Sequence, residues 1–257
     1  MRVHIQNEGV DTPFSLTRLQ WNEATRRAGR CDISATFADT AAGFADWVAD
    51  AELLVTSPGT LVKLLPLPPN RLGVIFCLAA GMDHLAPFDW LPAGVALWNN
   101  RGAHGAKAGE YALMAILMLA TRVPNFIAAQ QAREWSPLPT PTVRGLRLTV
   151  IGTGDLGSSA SHRARTLGVI ASGVRRTDAA HPDFDRIVTQ ARLNDVLPET
   201  DILLLACPLT AETRNLLDGR RLRLLPKQAG VINIGRGALI DQDALCDLLD
   251  AGQLSGA

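Results

Sequence analysis

The 257-residue chain lacks a surplus of charge of either sign: 25 basic side chains are matched by 25 acidic ones, so it carries no electrostatic footprint for nucleic acid or for an anionic membrane. It is poor in cysteine. Cys31, Cys77, Cys207 and Cys246 are scattered, with no C-x-x-C pair and no Cys/His cluster. That argues against a disulfide framework or a zinc site and for thiols in a reducing compartment, the cytoplasm. No long hydrophobic run is present either. The opening MRVHIQNEGV lacks the apolar segment of a secretory signal, and the most apolar helical stretch, residues 111–120, is too short to span a bilayer. Internal repeats and low-complexity tracts are missing. What remains is a globular composition, 47% hydrophobic and 19% charged, long enough for two modest domains.

The stretch 147–176 organises the rest. Leu148, Val150 and Ile151 read as a buried strand, Gly152-Thr153-Gly154-Asp155-Leu156-Gly157 spells G-x-G-x-x-G, residues 160–167 read as helix, and 169–174 as a second strand. In such a βαβ unit each glycine has a physical task. Gly152 permits the tight turn, Gly154 lets bare backbone approach a pyrophosphate, and Gly157 lets helix and strand pack closely, with the phosphates at the helix N-terminus. The end of the second strand bears on which dinucleotide is bound. An acid about 20 residues beyond the glycines holds the ribose 2′-OH of NAD, whereas arginine accommodates a 2′-phosphate. Here stand Arg175, Arg176 and Thr177, with the first acid, Asp178, one step late. NADP(H) is therefore expected over NAD(H), the alternative being that the two arginines are a solvated strand end.

Residues 1–98 alternate short apolar runs with helical patterns, which implies parallel pairing and a doubly wound sheet. Its tight spots, Ser57-Pro58-Gly59 and Ala79-Ala80-Gly81, follow strands, where open α/β sheets bind ligands. Residues 106–122 form a helix apolar nearly all round, expected to be buried on more than one side, between domains, between subunits or inside a monomer. The proline-rich segment 134–141 with Trp135 cannot be a regular helix and reads as an arm toward a partner subunit. Further on, 201–206 is a continuous apolar run suited to a central strand, closed by Cys207-Pro208-Leu209-Thr210. Arg236 follows another buried strand and sits between two glycines, in Asn233-Ile234-Gly235-Arg236-Gly237.

These stretches together resemble the D-isomer-specific 2-hydroxyacid dehydrogenase family, which includes glyoxylate/hydroxypyruvate reductases. The carriers are residues 78–84, the run 100–110, the glycine motif, Cys207-Pro208-Leu209-Thr210 with Thr213, and 233–237 continuing to Asp241, five motifs in family order. The resemblance implies a flavodoxin-like substrate domain, here 1–98, and a Rossmann domain, here 99–257, with the reaction in the cleft between them. It implies Arg236 as the catalytic residue that holds the carboxylate of a 2-keto acid, and Ala80, Gly81 and Met82 as a second carboxylate clamp. Asp155 and Leu156 would cover the pyrophosphate. Cys207, Pro208, Leu209, Thr213, Ile234 and Gly235 would line the adenine and nicotinamide side. It also implies a homodimer formed through the helix after Lys107.

The family's chemistry also uses a Glu and then a His that follow the arginine motif, a proton donor and the carboxylate that keeps it charged. The five histidines here, His4, His84, His104, His162 and His181, all precede Arg236, and the pair is expected beyond Ala257. His84 and His104 lie near predicted cleft loops, and His162 and His181 are expected to be solvated. Two functions remain open: reduction of a small 2-keto acid to the D-2-hydroxy acid, or a catalytically silent NADP(H)-binding sensor or dimerisation module.

Overall fold

The computed structural model describes residues 1–9 and 14–257 and divides into two compact units, 1–103 and 104–257. Each is an α/β unit on one parallel sheet.

In the first unit, β1 (Arg2–Gln6), α1 (Arg18–Arg27), β2 (Ser34–Ala38), α2 (Phe44–Ala49), β3 (Leu53–Thr56), α3 (Pro58–Lys63), β4 (Val74–Cys77) and β5 (Ala96–Asn99) give the strand order β2-β1-β3-β4-β5. Ile5, Leu54 and Ile75 are fully enclosed, the outcome expected of apolar strand residues covered on both faces, and Leu61 of α3 is enclosed with them. Helix α1 starts where Thr17 and Gln20 cap it reciprocally. The loop 79–82 leaves the carboxyl end of β4.

Polar side chains also lie in this core, among them His4, Gln6 and Thr56. His4 on β1 is fully buried, its Nδ1 2.8 Å from Thr36 Oγ1 and its Nε2 3.1 Å from Gln6 Oε1. Burial pulls its pKa below the ordinary 6.5, only partly offset by the Gln6 hydrogen bond. The fold therefore holds the neutral ring, while the unfolded chain takes up a proton as pH falls through about 6.5. Stability due to this group is complete above that pH and is lost below it, by up to about 1.4 kcal/mol per pH unit for one proton. Thermal midpoints taken from pH 7 to pH 5 are expected to fall less steeply for His4→Gln than for the wild type, and parallel slopes would place the acid sensitivity elsewhere.

The second unit opens with α4 (Gly105–Ala120) and α5 (Val123–Ala132), then β6 (Arg147–Ile151), α6 (Asp155–Arg165), β7 (Ile170–Arg175), β8 (Arg186–Thr189), α7 (Leu193–Val196), β9 (Ile202–Leu205), α8 (Gly219–Leu222), β10 (Ala229–Asn233), α9 (Gln242–Asp250) and β11 (Leu254–Gly256). Its sheet runs β11-β10-β9-β6-β7-β8. The chain winds outward one way from β6 and the other way from β9, so the strand order reverses between these two. Leu203, Leu204 and Leu205 of β9 are fully buried, as the unbroken apolar run requires.

One local expectation changes, and two strands form where the sequence reading named none. Helix α6 begins at Asp155, directly after the glycine turn and not at 160, and β8 occupies a stretch that reads as polar because it is an edge strand covered on one side. Strand β11 is likewise a short edge strand without an alternating pattern of its own. Helix α4 buries one stripe within its own unit, Gly105, Gly109, Ala112 and Ile116, while Tyr111 and Met114 stay exposed. Residues 134–141 are irregular and Trp135 is 94% exposed. Among the described residues no single helix is long and apolar enough to cross a membrane, and α4 and α5 are bent 62° apart.

Candidate active site

The glycine turn shows its physical reasons directly. Gly152 has φ +99°, and a Cβ there would lie 2.7 Å from Cys207 N and 2.8 Å from the carbonyl carbon of Ala206. Only glycine lets the exit of β6 cross so close to the exit of β9. A Cβ on Gly157 would stand 2.0 Å from Gly152 O and 3.0 Å from Val150 Cγ1, so α6 rests on the turn with no room for a side chain. Gly154 is the N-cap of α6, extended at φ −79° and ψ −170°, and no side chain caps the helix. Helix N–H groups left uncapped by protein form a natural anion seat. The cradle that any larger residue would fill fits the pyrophosphate of a dinucleotide.

Asp155 is the one charge that conflicts with that seat, and it is turned aside. A Cβ on Gly105 would meet its Oδ1 at 2.6 Å and its Oδ2 at 2.9 Å, so the carboxylate lies against the start of α4. That helix has no acid in its first turn and no side-chain bond from its N-cap, His104. A carboxylate there complements the helix dipole. One turn on, Gly109 makes room for Ser159 and Arg163 of α6, with contacts of 2.4 and 2.8 Å to the atom it lacks. Glycines four apart on α4 thus let α6 approach closely and hold the turn. Neither role is legible as a motif, because the partners lie some 50 residues apart. Leu156 is half-buried beside Asp155.

Two further loops meet the turn at the same sheet edge. After β9, Thr213 Oγ1 donates to Pro208 O at 2.7 Å and accepts from Thr210 N at 2.7 Å, closing the loop that presents Leu209. Cys207 is buried, and burial pushes its thiol pKa up, which keeps it protonated and unsuited to nucleophilic work. After β10, Asn233 Oδ1 accepts from Gly235 N at 3.0 Å and Asn233 Nδ2 donates to Arg236 O at 2.8 Å. This Asx turn fixes the backbone on both sides of Ile234, and Ile234 N donates to Leu205 O at 3.0 Å. A Cβ on Gly235 would come within 3.0 Å of Cys207 O. Cys207 therefore touches both glycine-bearing loops. Motif reading names Asn233 without giving it a task; the structure makes it the side chain that ties this turn, and its signal is an Asn two residues before a glycine at a strand end.

Arg236 is half-buried and its Nη1 donates to Gly235 O at 3.1 Å. Arg175 ends β7, half-buried, followed by exposed Arg176 and Thr177. The Glu212 carboxyl is held below the usual range first by the Thr210 hydroxyl, 2.7 Å away, and more weakly by the charge of Arg176. All three loops and the end of β7 lie at carboxyl ends of strands, around the β6/β9 reversal, where open α/β sheets bind ligands.

On the first unit, Ala80, Gly81 and Met82 are half-buried. Asn99 Nδ2 donates to Ala80 O at 2.7 Å, and Met82 O accepts from Leu85 N at 3.0 Å within a 3-10 turn, which orients the peptide groups of the triplet. His84 and His104 are exposed, and His162 is 70% exposed with its ring on Asp183. His181 departs from expectation. It is half-buried, edge-on to Phe184 at 5.3 Å, because its Nδ1 accepts from Asp183 N at 3.3 Å and its Nε2 lies 3.4 Å from Ser158 Oγ. Among the described residues, no group of three or more His, Cys, Asp or Glu is placed to hold a metal ion.

Residues 113–257 match the model of the D-isomer specific 2-hydroxyacid dehydrogenase NAD-binding domain. A putative 2-hydroxyacid dehydrogenase of Haemophilus influenzae is 30% identical over 225 residues, 82% of this chain and 68% of that protein. Glyoxylate/hydroxypyruvate reductase A of Klebsiella pneumoniae is 28% identical over 74% of this chain, which spans 63% of that protein. Among solved structures, a D-isomer specific 2-hydroxyacid dehydrogenase from Xanthobacter autotrophicus in complex with NADPH and MES superposes with a TM-score of 0.79 at 24% identity, over 98% of this chain and 78% of that one, a likeness of fold.

Proposed function

Because the chain belongs to the D-isomer specific 2-hydroxyacid dehydrogenase family, NAD(P)-dependent oxidoreductases of 2-hydroxy acids, we propose that it reduces a small 2-keto acid of the glyoxylate or hydroxypyruvate type to the D-2-hydroxy acid, with NADP(H) preferred to NAD(H). The observation that carries this reading is Arg236, held in a turn tied by Asn233 and packed on Cys207, at the sheet edge that also carries the glycine cradle. Gly152, Gly154 and Gly157 would leave room for the pyrophosphate and the backbone N–H groups of Asp155 and Leu156 would hold it, the Asp155 carboxylate being turned to α4, while Cys207, Pro208, Leu209, Thr213, Ile234 and Gly235 would line the adenine and nicotinamide side. When bound, the dinucleotide supplies the hydride. The Arg236 guanidinium offers a planar fork of donors to the substrate carboxylate and favours negative charge on the neighbouring carbonyl oxygen. Backbone N–H groups of Ala80, Gly81 and Met82 form the second clamp. Dinucleotide oxidation followed with glyoxylate and with hydroxypyruvate tests the activity directly. Binding of NADPH without turnover of any 2-keto acid would favour the sensor reading.

Cofactor preference rests on Arg175 and Arg176. Wild-type protein is expected to bind NADPH more tightly than NADH in fluorescence titrations. Replacing both arginines by alanine is expected to weaken NADPH about tenfold or more, the worth of one or two charge-assisted hydrogen bonds, and to leave NADH almost unchanged. Tighter binding of NADH by the wild type would reverse the assignment.

The exposed apolar side chains of α4 and α5, Tyr111, Met114, Phe126 and Ile127, form the face on which a second copy would dock in a homodimer. The four free thiols suit a reducing compartment such as the cytoplasm.

A further inference from the structure

The sheet of the second unit has an unassigned cavity at its other edge. It measures about 640 Å³ and is walled by the amino ends of β6, β9 and β10, the end of α4 and the irregular segment 138–145. The glycine turn and Arg236 follow the carboxyl ends of the same strands, so this cavity lies at the opposite end of the sheet.

Its charge is one-sided. Arg122, Arg144 and Lys227 line it, and among the described residues none of the three is ion-paired: Arg122 donates to the neutral amide oxygen of Gln228, and Arg144 and Lys227 have no polar partner. The single acid in the wall, Asp201, is spent on Arg147, whose Nη2 lies 2.7 Å from Oδ1 and whose Nε and backbone N lie 3.1 and 2.8 Å from Oδ2. Those bonds to Arg147 hold the Asp201 carboxyl below the usual range although its partial burial opposes this, so it stays ionised and matched. Three unmatched cations in a chain of zero net charge, gathered round one concavity, focus a positive field into it. The hydroxyls of Thr140, Thr142 and Ser255 stand in the same wall as donors.

The backbone at the rim is strained at one of the three cations and at its hydrogen-bond partner. Arg122 has φ +58° and Gln228 φ +69°, both in the left-handed region without being glycine. They are held there by each other and by the bonds of Gln228 to the chain at 252–253, Nε2 to Gly252 O at 2.9 Å and N to Gln253 O at 2.6 Å. Strain of this kind persists only where surrounding structure over-determines it, and it concentrates at ligand sites.

We propose that this cavity is a second anion site, which takes a small polyanion bearing two or more carboxylate or phosphate groups. It goes beyond the dehydrogenase reading and does not depend on it. The site is tested by calorimetric titration of the full-length protein with citrate and, separately, with inorganic pyrophosphate, at constant ionic strength and with saturating NADPH present. Saturable one-to-one binding of at least one probe is expected, and the double substitution Arg144→Gln with Lys227→Gln should weaken it tenfold or more. Both residues are exposed and unpaired, so the unliganded thermal midpoint and the affinity for NADPH should not move. If only citrate or only pyrophosphate binds in this way, the site stands and its ligand chemistry is settled. The proposal fails if neither probe saturates, or if binding survives the double substitution and is lost in Arg236→Ala, which would put the anion in the reaction crevice.

Discussion

Replacing Arg236 by alanine in the full-length protein is expected to lower kcat/KM for the 2-keto acid by about 10² to 10³, or roughly 3–4 kcal/mol of transition-state stabilisation. The size follows from what is removed. A bidentate, charge-assisted pair with the substrate carboxylate goes, and with it the positive charge beside the carbonyl oxygen where negative charge builds up. Lysine at this position restores the charge but not the fork, so Arg236→Lys should recover only part of the loss. The backbone that carries Arg236 is fixed by Asn233 through Gly235 N and Arg236 O, and neither bond uses the guanidinium. Fold and dinucleotide affinity should therefore survive the substitution. Steady-state kinetics varied in keto acid, with a dinucleotide titration alongside, separate the two effects. An unchanged kcat/KM would remove Arg236 from the reaction and, with it, the carboxylate-binding reading of this turn.

The second large effect is expected at Gly157. A methyl group there would lie 2.0 Å from Gly152 O, which is backbone and cannot rotate away, and 3.0 Å from Val150 Cγ1. Helix α6 would have to back off β6 by an ångström or more, carrying the uncapped N–H groups at Gly154–Gly157 away from the seat they form. Gly157→Ala is expected to lower dinucleotide affinity at least tenfold and to destabilise the second unit by about 1–3 kcal/mol, the ordinary cost of overpacking. Gly237→Ala is the matched control, since a Cβ there has nothing within 4 Å. Titration of dinucleotide fluorescence and thermal melts of both variants check this. Wild-type affinity in Gly157→Ala would mean that the turn does not position the cofactor.

Much of the second unit was legible before any coordinates. The βαβ unit at 147–176, the central strand at 201–206, the strand before Arg236 and the helix start at Asp241 all carry local signatures: unbroken apolar runs, glycines at fixed spacing, a capping aspartate whose side chain accepts from Ala244 N. The proposed carboxylate clamp and the proposed role of Arg236 rest on motif order. Less legible were β8 and β11, because an edge strand buries one side and needs no alternation to do so. His181 read as solvated since its neighbours in sequence are polar, yet ring packing on Phe184 and the peptide N–H of Asp183 draw it in.

The exposed face of α4 shows the same division from the opposite direction. Periodicity identified an apolar helix and could not assign its faces to partners, because hydrophobicity records that a surface is to be covered and not by what. Within its own unit the structure covers one stripe, through Gly105 and Gly109 against α6, and leaves Tyr111 and Met114 open. The amino-acid order by itself determined the parallel α/β class, the phosphate-binding turn and the placing of Arg236 at a strand's carboxyl end, since each depends on residues within a few positions of one another. Only the tertiary structure decided that Asp155 turns to α4 and that Cys207 touches both glycine loops. It alone gathered Arg122, Arg144 and Lys227 around one cavity, because those relations join residues 22 to 105 positions apart and exist only once the sheet has brought strand ends together.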